Sequence, residues 1–182
     1  VDFHKRHDPR LLEAAARYRA GEYGQLQHAD WHMIDRLHVV NPNDEPRFFA
    51  SRDFAEKNSP ISFLTVHMAD SLMQIAPLRP RAVRATGWSQ KLPSLTPLAV
   101  NGYDLCETEV RFEHDAVARF VTGWHLPDTA PTVSMERTIT TCTDGQFELM
   151  HTAGFSDLVH DGVRDHNALF QHRGPDGRYA GF

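Results

Sequence analysis

The chain contains no G-x-G-x-x-G, no G-x-x-x-x-G-K-[ST] and no G-x-S-x-G. The usual phosphate cradles and the nucleophile elbow of hydrolases are therefore missing, and the chain is not expected to hold a nucleotide by itself. Only two cysteines occur in 182 residues, Cys106 and Cys142, at neither metal nor redox spacing. They read as buried thiols in a reducing cytoplasm. No apolar stretch approaches the roughly 20 residues that span a bilayer. The opening run Val1-Asp2-Phe3-His4-Lys5-Arg6 has no signal-peptide core. A membrane partner is not expected. Basic residues are few and scattered, with Lys+Arg 19 against Asp+Glu 24 and a net charge of −5. Nucleic acid is excluded as a partner by the same count, because phosphate binding needs a concentrated positive footprint.

What is present is enough for one sizeable core, at 41% hydrophobic residues. Val1 to Lys5 alternates like a short strand. Asp8-Pro9 then gives a capping residue followed by proline at the first helical position, and the helix it starts stops near Gly21 or Gly24. From Gln25 to Val40 the period is two, with Ala29, Trp31, Met33, Leu37 and Val39 on one face and His28, Asp30, His32, Arg36 and His38 largely on the other. Asn41 to Asn58 has no period and reads as a loop with one helical turn around Ser51 to Glu56. After Pro77 the chain reads as β throughout, with strands at Arg81 to Gln90, Tyr103 to Glu113, Ala116 to Leu126, Val133 to Thr141 and Gln146 to His151. Turns at His114-Asp115 and Asp144-Gly145 make successive strands antiparallel. The tail from His151 to Phe182 reads as an irregular excursion with a turn at Gly174-Pro175-Asp176-Gly177.

Helices first and strands afterwards predict an α+β fold, an open and mainly antiparallel sheet with helices on one face. Val110, Phe112, Phe120, Trp124 and Ile139 give the late strands more apolar surface than a solvated face carries. Two explanations stand: the other face of the sheet pairs with a second copy in a homodimer or higher homo-oligomer, or packing against the helices uses all of this area.

The chemistry concentrates on a second helix. Ser59-Pro60 marks its start, Ile61, Leu64, Met68, Leu72 and Ile75 form its apolar face, and Phe63, His67, Asp70 and Gln74 line a neighbouring strip. An imidazole held by packing one turn from a carboxylate suits acid/base work near neutral pH, although a histidine beside a core face is also an ordinary structural hydrogen-bonder. The twelve histidines do not predict a metal site. His28 and His32 share a face, but at about 3.3 Å per residue they lie about 13 Å apart, too far for one ion to bridge.

Taken in order, these segments resemble the C-terminal domain of the Gfo/Idh/MocA family of NAD(P)-dependent sugar and inositol oxidoreductases. Val1-Asp2-Phe3-His4-Lys5-Arg6-His7-Asp8-Pro9 is similar to the strand, basic residue and Asp-Pro helix start that opens this domain. Gly21-Glu22-Tyr23-Gly24-Gln25-Leu26 is similar to its G-x-[LY]-G-x-[IL] bend, and His67-Met68-Ala69-Asp70 to its H-x-x-D helix. Glu136-Arg137-Thr138-Ile139, Asp144-Gly145 and Gly177-Arg178-Tyr179-Ala180-Gly181 are similar to one branch of the family.

The resemblance implies that residues 1–182 form a substrate-binding and oligomerisation domain. An N-terminal Rossmann domain, a Glu-Lys-Pro motif and a closing helix would lie outside the sequence. NAD or NADP would belong to the full-length protein, with none bound to this chain alone and no activity without the Rossmann domain. The substrate would be a sugar, inositol or related polyol. His67 would assist proton transfer at its hydroxyl. Lys5, Arg6, Trp31, His32 and Arg36 would face the cleft, with Asp70 as a supporting partner, although Trp31 also reads as a packed core ring and Arg36 as a surface cation. The family often carries Asp four residues before the histidine, where this chain has Phe63, which neither orients an imidazole nor binds a hydroxyl. That departure leaves a rival from another class, a non-catalytic module that binds a carbohydrate or only drives dimerisation.

Overall fold

Two proline-marked helix starts organise the first half of the chain. The computed structural model describes residues 3–149 and the backbone of 150, 154–159, 162–166, 171–173 and 179–181. In it α1 spans Pro9–Arg19. Asp8 caps this helix by accepting a hydrogen bond from the Arg10 amide at 2.9 Å, and Pro9 fills the first position, where a missing N–H costs nothing. Gly21 and Gly24 then bend the chain into the sheet with φ of +79° and +73°, a region that residues with a Cβ enter only at a cost. The segment before α1 corrects the expectation of a strand. His4–His7 is a 3-10 turn in which the Arg6 and Asp8 amides bond back to the Phe3 and Lys5 carbonyls at 3.0 Å each. Val1 and Asp2 lie outside the described residues.

Strand β1 spans Leu26–Arg36 and stops short of Val40, because Leu37–Val39 closes into a 3-10 turn. The long loop that follows holds one short helix, α2, at Phe54–Lys57. Ser59 and Ser62 then cap one another's amides: the Ser62 N–H donates to Ser59 Oγ at 3.2 Å and the Ser59 N–H to Ser62 Oγ at 3.0 Å. The helix so started is not α-helical throughout. Ile61–Thr65 winds as a π-turn, and α3 proper runs from Val66 to Ile75.

Apart from 3-10 turns at Leu92–Ser94 and Glu113–Asp115, the regular elements of the remaining described chain are strands: β2 Pro80–Trp88, β3 Leu105–Phe112, β4 Val117–Leu126, β5 Ser134–Cys142, β6 Gly145–Met150, β7 Gly154–Val159 and β8 Gly162–His166, with β9 Gln171–Arg173 and β10 Tyr179–Gly181 as a separate pair. Strands thus replace the irregular tail expected from the sequence, and the Gly174 to Gly177 turn lies outside the described residues. The main sheet has the order β2-β3-β4-β1-β5-β6-β7-β8. Its described pairings are antiparallel except that of β1 with β4, whose connection through α3 is long enough for a crossover. The sequence-based expectation of an open, mainly antiparallel α+β sheet holds.

One sheet face is roofed by α1, the π-turn and α3. Ala29, Trp31 and Met33 of β1, Phe120 and Trp124 of β4, Val110 and Phe112 of β3 and Phe147 of β6 all point into this layer and are buried. This decides most of the apolar surplus noted in the sequence. Val110, Phe112, Phe120 and Trp124 are consumed by helix packing, and only Ile139, paired with Asp30, is on the opposite face. That opposite face alternates β-branched residues with ion pairs. Arg119 reaches Asp30 at 2.9 Å and Glu107 at 3.6 Å, Arg84 reaches Glu109 at 3.2 Å, and Arg137 reaches Glu148 at 2.8 Å.

Candidate functional site

The strip on α3 meets the N-terminal turn. The His67 ring lies 5.5 Å from His4 and 6.1 Å from Phe3, centroid to centroid. One turn further on, Asp70 accepts from Arg6 Nε at 2.9 Å in a two-pronged ion pair, and Arg6 also lies 5.0 Å above the Phe3 ring. The hydrogen bond and charge of Asp70 raise the Arg6 pKa further. Gln74 completes the strip by donating to the Arg6 carbonyl at 3.3 Å. His67, Asp70 and Gln74 therefore share a side as their spacing predicts.

Phe63 does not join them. A π-turn takes more than 3.6 residues to come round, so it separates positions 63 and 67 that an α-helix would stack. The Phe63 ring instead packs edge-on against Phe49 and Phe54 and lies 5.7 Å from Trp124. Thr65 pins the same turn to the sheet, its Oγ1 lying 2.9 Å from Thr122 Oγ1.

Beneath His67 a cavity of 40 Å³ opens between the N-terminal turn, α3 and the sheet, lined by Lys5, Asp8, Arg10, Trp31, His67 and Glu136 among others. Its walls carry two ion pairs. Lys5 Nζ is bonded to Glu136 Oε1, with side chains 14% and 17% exposed, and Arg10 clasps Asp8. Burial pushes the Asp8 carboxyl up, but hydrogen bonds and charge from Arg10 outweigh it and hold Asp8 below the usual carboxylate range.

Of the residues expected at the site, the fold brings together His67, Lys5, Arg6 and Asp70 and places Trp31 behind them. Trp31 is 2% exposed and donates from Nε1 to Thr140 Oγ1 at 3.0 Å, so it is a core ring that shows the cavity one edge. His32 and Arg36 are not brought to this group. They alternate with Trp31 on β1 and so project from the other side of the sheet, where His32 lies 3.3 Å from Asp30 and Arg36 donates to the carbonyls of Thr132, at 2.9 Å, and Ala130. Sequence reasoning missed three acids: Asp8 as a cavity wall, Glu136 and Asp35. Period two supplied a signal for the last two, since Glu136 precedes Thr138 and Thr140 on one side of β5, and Asp35 continues the series Ala29, Trp31, Met33.

No family model matches the sequence, and no curated protein matches it. The architecture does have counterparts among solved structures: an open sheet roofed by helices occurs in oxidoreductases. A levoglucosan dehydrogenase in complex with NADH and levoglucosan superposes with a TM-score of 0.72 at 16% identity, over 90% of this chain and 45% of its own. An inositol dehydrogenase homolog from Azotobacter vinelandii complexed with NAD+ gives 0.70 at 15% identity, over 94% and 44%. An oxidoreductase from Pseudomonas syringae gives 0.66 at 14%, over 97% and 44%. The chain spans about half the length of the structures it matches, and at these identities what is shared is the fold.

Proposed function

We propose that this chain is the substrate-binding and assembly domain of an NAD(P)-dependent oxidoreductase acting on a sugar, inositol or related polyol, with His67 as its acid/base group. One observation carries the reading. His67 stands where α3 meets the N-terminal turn, flanked by Lys5 and by the Arg6–Asp70 pair, on a fold shared with sugar dehydrogenases solved with NADH.

The chain's own residues do not fit a dinucleotide, since the sequence has no glycine-rich cradle and the cavity at His67 holds little more than a water molecule. NAD or NADP is accordingly assigned to the full-length protein, outside residues 1–182. The same volume excludes a whole sugar, so the polyol rests on the outer rim of the cavity. There Lys5 donates to its hydroxyls and His67 takes the proton of the hydroxyl that becomes a carbonyl. Trp31 supports this rim from the core and does not stack on the sugar. Assembly falls to the open sheet face, whose alternating charges and half-buried Ile34, Val117, Val121 and Ile139 suit a second copy of the chain.

One observation favours the rival reading of a non-catalytic carbohydrate-binding or dimerisation module. Phe63 is turned into an aromatic cluster, and the helix has no carboxylate one turn before His67. The full-length protein separates the two. A native reading frame with a strand, G-x-G-x-x-G and Glu-Lys-Pro upstream of Val1 should reduce NAD or NADP in the presence of a polyol. His67→Ala should then lower kcat far more than it weakens cofactor binding. Undiminished kcat in that variant removes His67 from the mechanism. Sedimentation at twice the mass of one chain tests the sheet-paired dimer.

A further inference from the structure

Two buried aspartates of this fold are treated in opposite ways. Asp104, 1% exposed, accepts backbone N–H groups from Gln90, Lys91 and Leu92 at 2.6, 2.5 and 3.2 Å, which is what a structural carboxylate does. Asp35 is 5% exposed and ends the core-facing series Ala29, Trp31, Met33 on β1, yet its Oδ1 has no hydrogen-bond partner among the described residues. An acid placed so costs stability without organising the backbone around it.

Its neighbours indicate what it does organise. In the β1–β5 register Met33 lies opposite Glu136 and Asp35 opposite Ser134, so Asp35 and Glu136 are diagonal neighbours on the helix-covered face, about 7–8 Å apart at Cα. From the N-terminal turn Lys5 reaches Glu136. It is bonded to Glu136 and is the cation whose charge acts on Asp35. Lys5 and Glu136 line the cavity under His67, and Asp35 is next to Glu136 across the β1–β5 pairing.

We propose that Asp35 and Glu136 form a carboxylate pair that holds the Lys5 ammonium at the cavity beside His67, so that the sheet supplies the negative charge that Phe63 does not supply from the helix. The inference rests on the reading of His67 and Lys5 as substrate-contacting groups. Asp35 and Glu136 are then positioning residues, acting on the substrate only through Lys5. Burial, with the nearby Glu136 charge, pushes the Asp35 carboxyl up to about 6, while Ser134 and Lys5 pull the other way. Its charge therefore changes within the range where an enzyme works.

The test is a carboxyl-carbon NMR titration of the full-length protein labelled at aspartate, with the Asp35 signal identified by its loss in Asp35→Asn. The Asp35 midpoint should fall in Glu136→Gln and rise in Lys5→Met, each by about half a pH unit or more. A midpoint unmoved in both variants overturns the proposal. In turnover, kcat/KM should carry, besides the limb set by His67, an acid component that follows the Asp35 midpoint, is lost in Asp35→Asn and returns in Asp35→Glu. A profile that is identical in Asp35→Asn and in the parent overturns it as well. If no polyol is oxidised at all, the reading of His67 fails, while the titration still decides whether the two carboxylates share Lys5. Should Asp35→Asn not fold, loss of the signal in Asp35→Glu identifies it, and the Glu136 and Lys5 variants carry the test.

Discussion

Thr65 and Thr122 face each other across the helix–sheet boundary with their hydroxyl oxygens 2.9 Å apart, both side chains buried. The pair ties the π-turn to β4 two residues before His67. Replacing either by valine leaves the other hydroxyl buried without its partner, which should cost about 1–3 kcal/mol. Replacing both removes the unmatched hydroxyl, so the double variant should be less destabilised than the sum of the singles, with a coupling of about 1 kcal/mol in urea melts. Strict additivity would show that the two hydroxyls do not interact. Because the π-turn sets where His67 begins, the single variants should also lower kcat more than they raise KM.

Trp31 is placed by the fold as a structural ring. Trp31→Phe keeps most of the apolar contact with Phe120, whose ring lies edge-on at 6.2 Å, but loses the hydrogen bond to Thr140. Stability should fall by about 1–3 kcal/mol while KM in the proposed reaction stays near its original value. A tenfold rise in KM at unchanged Tm would instead put the indole in contact with substrate.

Asp35 should make stability depend on pH in a direction opposite to most carboxylates. Its pKa rises from 3.8 in the unfolded chain to about 6 in the folded protein, so the folded state binds the proton more tightly. The stability this contributes is complete below the unfolded value and is lost as pH rises through about 6. Asparagine carries no such charge. Asp35→Asn should therefore gain on the order of 2–3 kcal/mol relative to the parent at about pH 8 and little at about pH 3. Urea melts at the two pH values read the difference directly, and an equal change at both would show that Asp35 titrates normally.

Local signals were legible in the sequence and relative placements were not. Asp8-Pro9 and Ser59-Pro60 marked both helix starts because a cap and its helix are neighbours in sequence. Alternation marked β1 and the hairpins, but it gives each strand two faces without saying which face of one strand continues which face of the next. Alternation alone therefore groups Phe120 with Ile139, although the register puts them on opposite sides of the sheet. The same gap sent His32 and Arg36 toward the cleft. The parallel pairing of β1 with β4 depends on a crossover of 80 residues, 37–116, beyond any local pattern. The π-turn that parts Phe63 from His67 has no residue signature, since Ile61, Ser62, Phe63, Leu64 and Thr65 would equally fill an α-helical turn. Asp35 was legible by position and disguised by chemistry, because an acid in a strand is ordinarily taken to face water.

The bend between α1 and β1 offers a test of how sterics and backbone strain separate. Gly21 and Gly24 have nearly the same φ, +79° and +73°, so alanine meets a similar left-handed penalty of about 1–2 kcal/mol at either position. Their surroundings differ. A Cβ at Gly21 would have no heavy atom within 4 Å, whereas one at Gly24 would lie 2.0 Å from Thr143 Oγ1 and 2.3 Å from Asp144 Oδ2. Both are side-chain atoms of the β5–β6 turn, and Thr143 Oγ1 accepts from the Gln25 amide at 3.0 Å, so turning it aside breaks that bond at the start of β1 while the backbone bonds from Thr143 and Asp144 to the Gln25 and Tyr23 carbonyls remain. Gly21→Ala should cost only the backbone penalty, and Gly24→Ala should cost about 1 kcal/mol more, read as a lower urea midpoint at unchanged slope. Equal losses in the two variants would mean that the turn yields freely and that φ alone reserves both positions for glycine.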